Sequence, residues 1–127
     1  MPWGGIVAVG GGAAIGAWMR WGLGIALNSL FPTLPLGTLA ANLTGGLLMG
    51  VAMEIMAREA VMSPELRLLM TTGFLGGLTT FSTFSAEAVN LLMRQQYGWS
   101  LALISAHLGG SLVMTVLGIA SVRALTS

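Results

Sequence analysis

Apolar residues run almost unbroken along this chain, and the few polar ones recur every fourth position. A membrane-spanning helix needs about 20 largely apolar residues, and this pattern predicts four such spans. The first runs from Trp3 to about Leu27. Gly12, Gly16 and Arg20 are four apart and share one helical face. The two glycines make that face a packing surface. Arg20 has two available uses: to snorkel to the headgroups, or to line a water-filled vestibule and attract anions. Pro32 and Pro35 keep residues 28–35 out of a helix.

The second span runs from about Leu36 to Met56, with Thr38, Asn42, Gly46, Gly50 and Glu54 on one stripe. That stripe suits a helix–helix seam. Asn42 also offers two N–H donors and one acceptor, enough to replace part of an ion's water shell. A polar connection with Arg58, Glu59 and Ser63 follows. Ser63-Pro64-Glu65 predicts a helix start, with serine as N-cap and proline in the first turn. The third span then extends to about Met93, and the fourth covers about Trp99 to Val122. His107, Ser111 and Thr115 share a face of the fourth. Their hydroxyls can bond their own helix or form a polar track beside a pore. The matching stripe on the second span favours the track.

The third span departs from the pattern. Between Thr71 and Ser85 lie three glycines and a run of hydroxyl residues where lipid-facing leucines would be expected. Glycine costs a helix interior about 1 kcal/mol relative to alanine, so a break is expected near Gly76-Gly77. Freed backbone at membrane depth is tolerated only when buried in protein or lining a cavity, and such broken helices carry ion sites in transporters. Phe81 and Phe84 are three apart, so their rings leave the helix on about the same side. Aromatic edges are electropositive and suit a small anion, as do helix N-terminal N–H groups. Carbonyls exposed by the break, near Gly76 and Thr79, suit a bare cation. Packing of a Phe pair against a neighbouring helix is the commoner use.

Composition narrows the field. Only 7% of the 127 residues are charged, against about 25% in soluble domains, which predicts an all-α integral membrane protein of one domain, residues 1–127. The net charge of +1 gives nucleic acid no basic surface. With no cysteine, no aspartate, no lysine and one histidine, an enzyme has almost nothing to build with. Across four spans, Arg58, Arg67 and Arg123 fall on one side, and Arg94 and Arg20 on the other. Lys/Arg excess sets orientation, and an excess of one barely specifies it. Such a chain can insert in both directions, and an antiparallel homodimer would use both forms. The first span holds no acidic residue, which argues against a proton-coupled small multidrug transporter.

Gly37-Thr38-Leu39-x-x-Asn42, together with Gly73-x-x-Gly76-Gly77-Leu78-Thr79-Thr80-Phe81-Ser82-Thr83-Phe84-Ser85-x-Glu87, resembles the Fluc (CrcB) family of bacterial fluoride channels. Chain length, the four-span layout and Arg20-Trp21 agree with it. The resemblance implies a dual-topology antiparallel homodimer in the bacterial inner membrane, with two fluoride pathways. Phe81 and Phe84 would box the ions, Asn42 would be the polar contact, and Ser82, Thr83 and Thr38 would line the path. Ser111 and Thr115 would continue it on the fourth span, with Arg20 in the vestibule. Gly76 and Thr79 carbonyls from both copies would hold one structural Na⁺ at the dimer centre.

Overall fold

The computed structural model describes residues 2–58 and 62–126. Glu59, placed by the sequence in the polar connection, lies outside the described residues. The described chain is helical, with no strand among the described residues. Helix α1 spans Pro2–Leu27 and tightens into a 3₁₀ turn, Asn28–Leu30. Helix α2 spans Leu36–Arg58. A segmented run follows: α3 (Pro64–Leu68), a π-helical stretch (Leu69–Leu75), α4 (Gly76–Leu78) and α5 (Phe81–Met93). Helix α6, Tyr97–Thr126, closes the chain. Three continuous helices, Pro2–Leu30, Leu36–Arg58 and Tyr97–Thr126, are long and apolar enough to cross a membrane. The segmented run between the last two occupies the stretch where the sequence predicts a broken span.

The element boundaries follow local chemistry. Ser63 caps α3 as its sequence predicts, its Oγ accepting from the Leu66 N–H at 3.1 Å with Pro64 in the first turn. Helix α2 is capped from a distance: Asn28 Oδ1 accepts from the Gly37 and Thr38 N–H groups at 2.7 and 3.2 Å. Two of the orphan donors at that helix start are thereby satisfied. At the far end of α2, Glu54 binds Arg58 at 2.9 Å and Arg123 of α6 at 3.2 Å, tying the two helices together.

Small residues set the helix contacts. A Cβ on Gly12 would sit 2.5 Å from the Leu69 carbonyl oxygen, and one on Gly16 would run into the Phe74 carbonyl. The predicted glycine face of α1 therefore packs directly on the π-helical stretch. The seam between α2 and α6 works the same way. A Cβ on Gly50 would meet the Thr115 carbonyl, and one on Gly118 would meet the Leu47 carbonyl. Between these two seams Leu78 and Ala41 are fully enclosed.

Gly77 backs onto Ala13 of α1, where a Cβ would collide with backbone, whereas Gly10 has nothing within 4 Å. Gly77→Ala is expected to lower stability by about 1–3 kcal/mol through overpacking. Gly10→Ala is expected to be neutral or to add up to about 1 kcal/mol from helix propensity. Thermal unfolding in detergent reads both.

Candidate functional site

The helix break lies at Thr79-Thr80. Thr79 has ψ 159° and Thr80 has φ −150°, ψ 120°, both extended. The sequence placed the break near Gly76-Gly77, but Gly76 is helical at φ −63°, ψ −36°. The glycines serve close approach to α1, and the threonines end one helix and begin the next. Thr79 Oγ1 and N–H both bond the Leu75 carbonyl, at 2.8 and 3.0 Å, closing α4. Thr80 Oγ1 accepts from the Thr83 N–H at 3.1 Å and caps α5. The π-helical stretch before the break has no mark in the sequence; such turns gather at functional sites.

Breaking a helix at membrane depth strands a backbone donor and a backbone acceptor. One side chain takes both. Asn42 Oδ1 accepts from the Thr80 N–H at 2.8 Å, and Asn42 Nδ2 donates to the Thr80 carbonyl at 3.1 Å. The amide acts as a one-residue strand partner for the extended segment. Nδ2 also lies 2.9 Å from His107 Nδ1 on α6. Asn42 therefore joins α2, the break and α6.

The break also rearranges carbonyls. The Thr80 N–H, the usual helical partner of the Gly76 carbonyl, goes to Asn42 instead. The Thr83 N–H, which would serve the Thr79 carbonyl, goes to Thr80 Oγ1. The Gly77 carbonyl, whose helical partner would be the Phe81 N–H, accepts from Arg20 Nε at 3.0 Å. Arg20 thus reaches the break itself. Gly76 and Thr79 are left with carbonyl oxygens diverted from their helical donors, a hard-oxygen set suited to a cation such as Na⁺. No cluster of three His, Cys, Asp or Glu that could hold a metal occurs among the described residues.

Two cavities meet the break, and Thr80 lines both. The larger, about 540 Å³, brings together Asn42, Gly76, Thr79, Phe81, Phe84, His107, Ser111 and Thr115 from four elements. The smaller, about 320 Å³, is lined by Arg20, Trp21, Thr38 and Thr83. Ser82 lines neither and stays exposed, its hydroxyl 3.3 Å from Thr80 Oγ1. In the larger cavity Phe81 and Phe84 stand edge to face with centroids 5.3 Å apart. Phe84 is 6% exposed and Phe81 is 72% exposed. On the inner side Phe84 stacks on His107 at 4.8 Å.

The hydroxyls divide. Thr115 Oγ1 approaches the carbonyls of Gly46 and Ser111, each at 3.0 Å, so its one hydrogen is used in the seam. Thr38 Oγ1 donates to Glu87 Oε2 at 2.7 Å, and Glu87 Oε1 is enclosed without a partner. Ser111 faces the cavity. The site's unforeseen parts are the Asn42–Thr80 clamp, the His107 contact and the Thr38–Glu87 bond. Thr38, Asn42 and His107 stood on the predicted polar stripes and Thr80 and Glu87 in the third-span motif, but nothing in the sequence paired them.

A family model described as "CrcB-like protein, Camphor Resistance (CrcB)" matches residues 7–119. The chain is 63% identical over 118 residues to a Nitrosospira multiformis protein, covering 93% of this chain and 92% of that one. An Aromatoleum aromaticum protein is 56% identical over 118 residues, covering 93% and 90%. A Cupriavidus pinatubonensis protein is 56% identical over 121 residues, covering 95% and 96%. Each of the three relatives is named "Fluoride-specific ion channel FluC".

Proposed function

The chain belongs to the CrcB (Fluc) family, and from that premise we propose that it is a fluoride channel of the bacterial inner membrane. It is a multi-pass channel protein rather than an enzyme. Fluoride enters a cell as neutral HF and dissociates in the less acidic cytoplasm. A passive path lets the inside-negative potential drive the anion out, with about 2.3 kcal/mol per charge per 100 mV. The cell is thereby protected from fluoride.

The observation that carries this reading is the cavity at the break, where a Phe pair, hydroxyls and a clamped amide converge without a formal charge on its walls. Ring edges and hydroxyl hydrogens offer a small anion favourable contacts. Phe81, Phe84, Ser111, Thr83, Thr38 and Ser82 form the path in this proposal, with Arg20 drawing anions toward the break. Asn42 shapes the path by holding the Thr80 backbone. Thr115 contributes its place in the seam.

The run from α3 to α5 is the fourth, broken crossing, and residues 1–127 form one channel domain. The exposed Phe81 and the open side of the larger cavity call for a lid. A second copy inserted in the opposite orientation would supply it and would give two pathways. The near-even division of arginines supports such an antiparallel dimer. The Gly76 and Thr79 carbonyls of the two copies would hold a structural Na⁺, whose charge would fasten the two breaks to one another.

Purified protein in liposomes loaded with fluoride is expected to release it when a potential is clamped, as read by a fluoride electrode. Chloride and a cationic dye should stay inside. Vesicles tight to fluoride, or a protein that expels the dye, would defeat this function.

A further inference from the structure

The stripe that begins with Gly12 and Gly16 does not stop at Arg20. Gly24 and Asn28 continue it at the same four-residue spacing, and Arg20, Gly24 and Asn28 all line the smaller cavity. Arg20 holds the inner end, with Nε on the Gly77 carbonyl at 3.0 Å. Asn28, in the turn that closes α1, lies about 12 Å further along the helix axis at about 1.5 Å per residue. Trp21, Thr38 and Thr83 complete the wall between them.

The cap on α2 fixes which way the Asn28 amide points. The Gly37 and Thr38 N–H groups can only donate, so the atom they meet at 2.7 and 3.2 Å is the amide oxygen, Oδ1. Nδ2 is the end left over. It lies beside Gly24, where an added Cβ would stand 3.2 Å from Nδ2 and would meet nothing beyond that amide within 4 Å. Neither Nδ2 hydrogen has a partner among the described residues, and Asn28 is half-buried. A glycine therefore leaves clear the space in front of two unused donors.

We infer that the Asn28 amide is an anion-receiving donor at the mouth of the smaller cavity, presented by the same bond that caps α2. This rests on the fluoride-channel reading and names a recognition group for it outside the break. The N–H groups at the start of α2 are already taken by Oδ1, so the donors offered to an ion are the two on Nδ2. They carry no formal charge. An anion can exchange part of its water for them and still move on to Arg20 deeper in the protein.

Two variants separate cap from donor. Asn28→Asp keeps an oxygen for the Gly37 and Thr38 N–H groups and loses both donors. Asn28→Ala loses the cap as well. Efflux from fluoride-loaded liposomes should fall about tenfold in each, the size of one lost hydrogen bond. The thermal midpoint should hold in Asn28→Asp and drop in Asn28→Ala. Parent-level flux in Asn28→Asp would make the residue a cap alone, and parent-level flux in Asn28→Ala would leave only the effect of an added charge; either overturns the inference. Salt screens repulsion by the new carboxylate, so the Asn28→Asp deficit should persist between about 0.1 and about 1 M ionic strength. A deficit that salt abolishes also overturns it.

The contact can be read directly. The asparagines of the chain are Asn28, Asn42 and Asn90, and ¹⁵N-asparagine gives each one side-chain amide pair. The pair absent from Asn28→Asp belongs to Asn28. Added fluoride should move that pair with ionic strength held by gluconate. A pair indifferent to fluoride, in protein whose vesicles do lose fluoride, overturns the inference and leaves the channel standing. A shift in protein whose vesicles hold fluoride leaves the contact standing and removes the channel.

Discussion

Asn42→Asp is expected to abolish fluoride flux, with a fall of two orders of magnitude or more in liposome efflux. The substitution changes one atom group and keeps the shape. One carboxylate oxygen can still accept from the Thr80 N–H, as Oδ1 does at 2.8 Å. The other takes the place of Nδ2, about which stand the Thr80 carbonyl oxygen at 3.1 Å and His107 Nδ1 at 2.9 Å. The Thr80 carbonyl would then face a carboxylate oxygen with no hydrogen between them, and His107 could meet the carboxylate only by moving its hydrogen to Nδ1. Leaving a buried acceptor without its donor costs about 1–3 kcal/mol, and the Thr80 carbonyl is stranded in this way. Each 1.36 kcal/mol is a factor of ten in a rate or an equilibrium, so a hundredfold loss lies inside that range. An ionised carboxylate would add repulsion of the permeating anion. Asn42→Leu, which brings no charge, separates the two causes. If the clamp is what matters, both variants lose flux. If charge alone matters, Asn42→Leu conducts. Undiminished flux in Asn42→Asp, from protein that still elutes as the parent does, would remove Asn42 from the path and from its support.

What a sequence of this kind discloses depends on how local the physics is. The Ser63 cap needs only residues 63–66. The glycine face of α1 needs only a four-residue repeat, and its contact with the π-helical stretch follows from the space a missing Cβ leaves. The break itself was legible as an event and misplaced by a few residues. Gly76-Gly77 looks like a hinge because glycine is weak in helices, yet Gly77 is glycine so that Ala13 can come close. The extended pair is Thr79-Thr80, made tolerable by an amide 38 residues earlier in the chain. No window of sequence contains that partnership, nor the one between Asn42 and His107, 65 residues apart. Spacing alone left Asn42 either a seam residue or an ion contact, and it gave no sign of the amide's bonds to the broken backbone. The same holds for Thr115, on the expected stripe but bonded into the helix seam. The halide came from the resemblance of the third-span motif to a known family; periodicity and charge led only as far as a small anion.

Phe81→Ile offers the sharper of two tests of the aromatic pair. Phe84 is nearly enclosed, stacked on His107 and part of the cluster with Ala88, Leu91 and Leu103. Phe84→Ile therefore removes an aromatic edge and disturbs packing together, with about 1–3 kcal/mol of stability at stake. Phe81 touches little within its own chain: 72% of it is exposed, and its ring contact is with Phe84 at 5.3 Å. Trimming it costs the protomer's core almost nothing. Any loss of flux in Phe81→Ile then reports what the ring does for the ion or for a facing second copy. Isoleucine preserves apolar bulk, so a purely hydrophobic seal survives the change, whereas the electropositive ring edge is lost. We expect flux to fall at least tenfold in each variant. The thermal midpoint should hold in Phe81→Ile and drop in Phe84→Ile, with both eluting as the parent does in size-exclusion chromatography. Phe81→Tyr, which keeps the ring, should conduct better than Phe81→Ile. Full flux in both isoleucine variants would mean that the pair is packing alone.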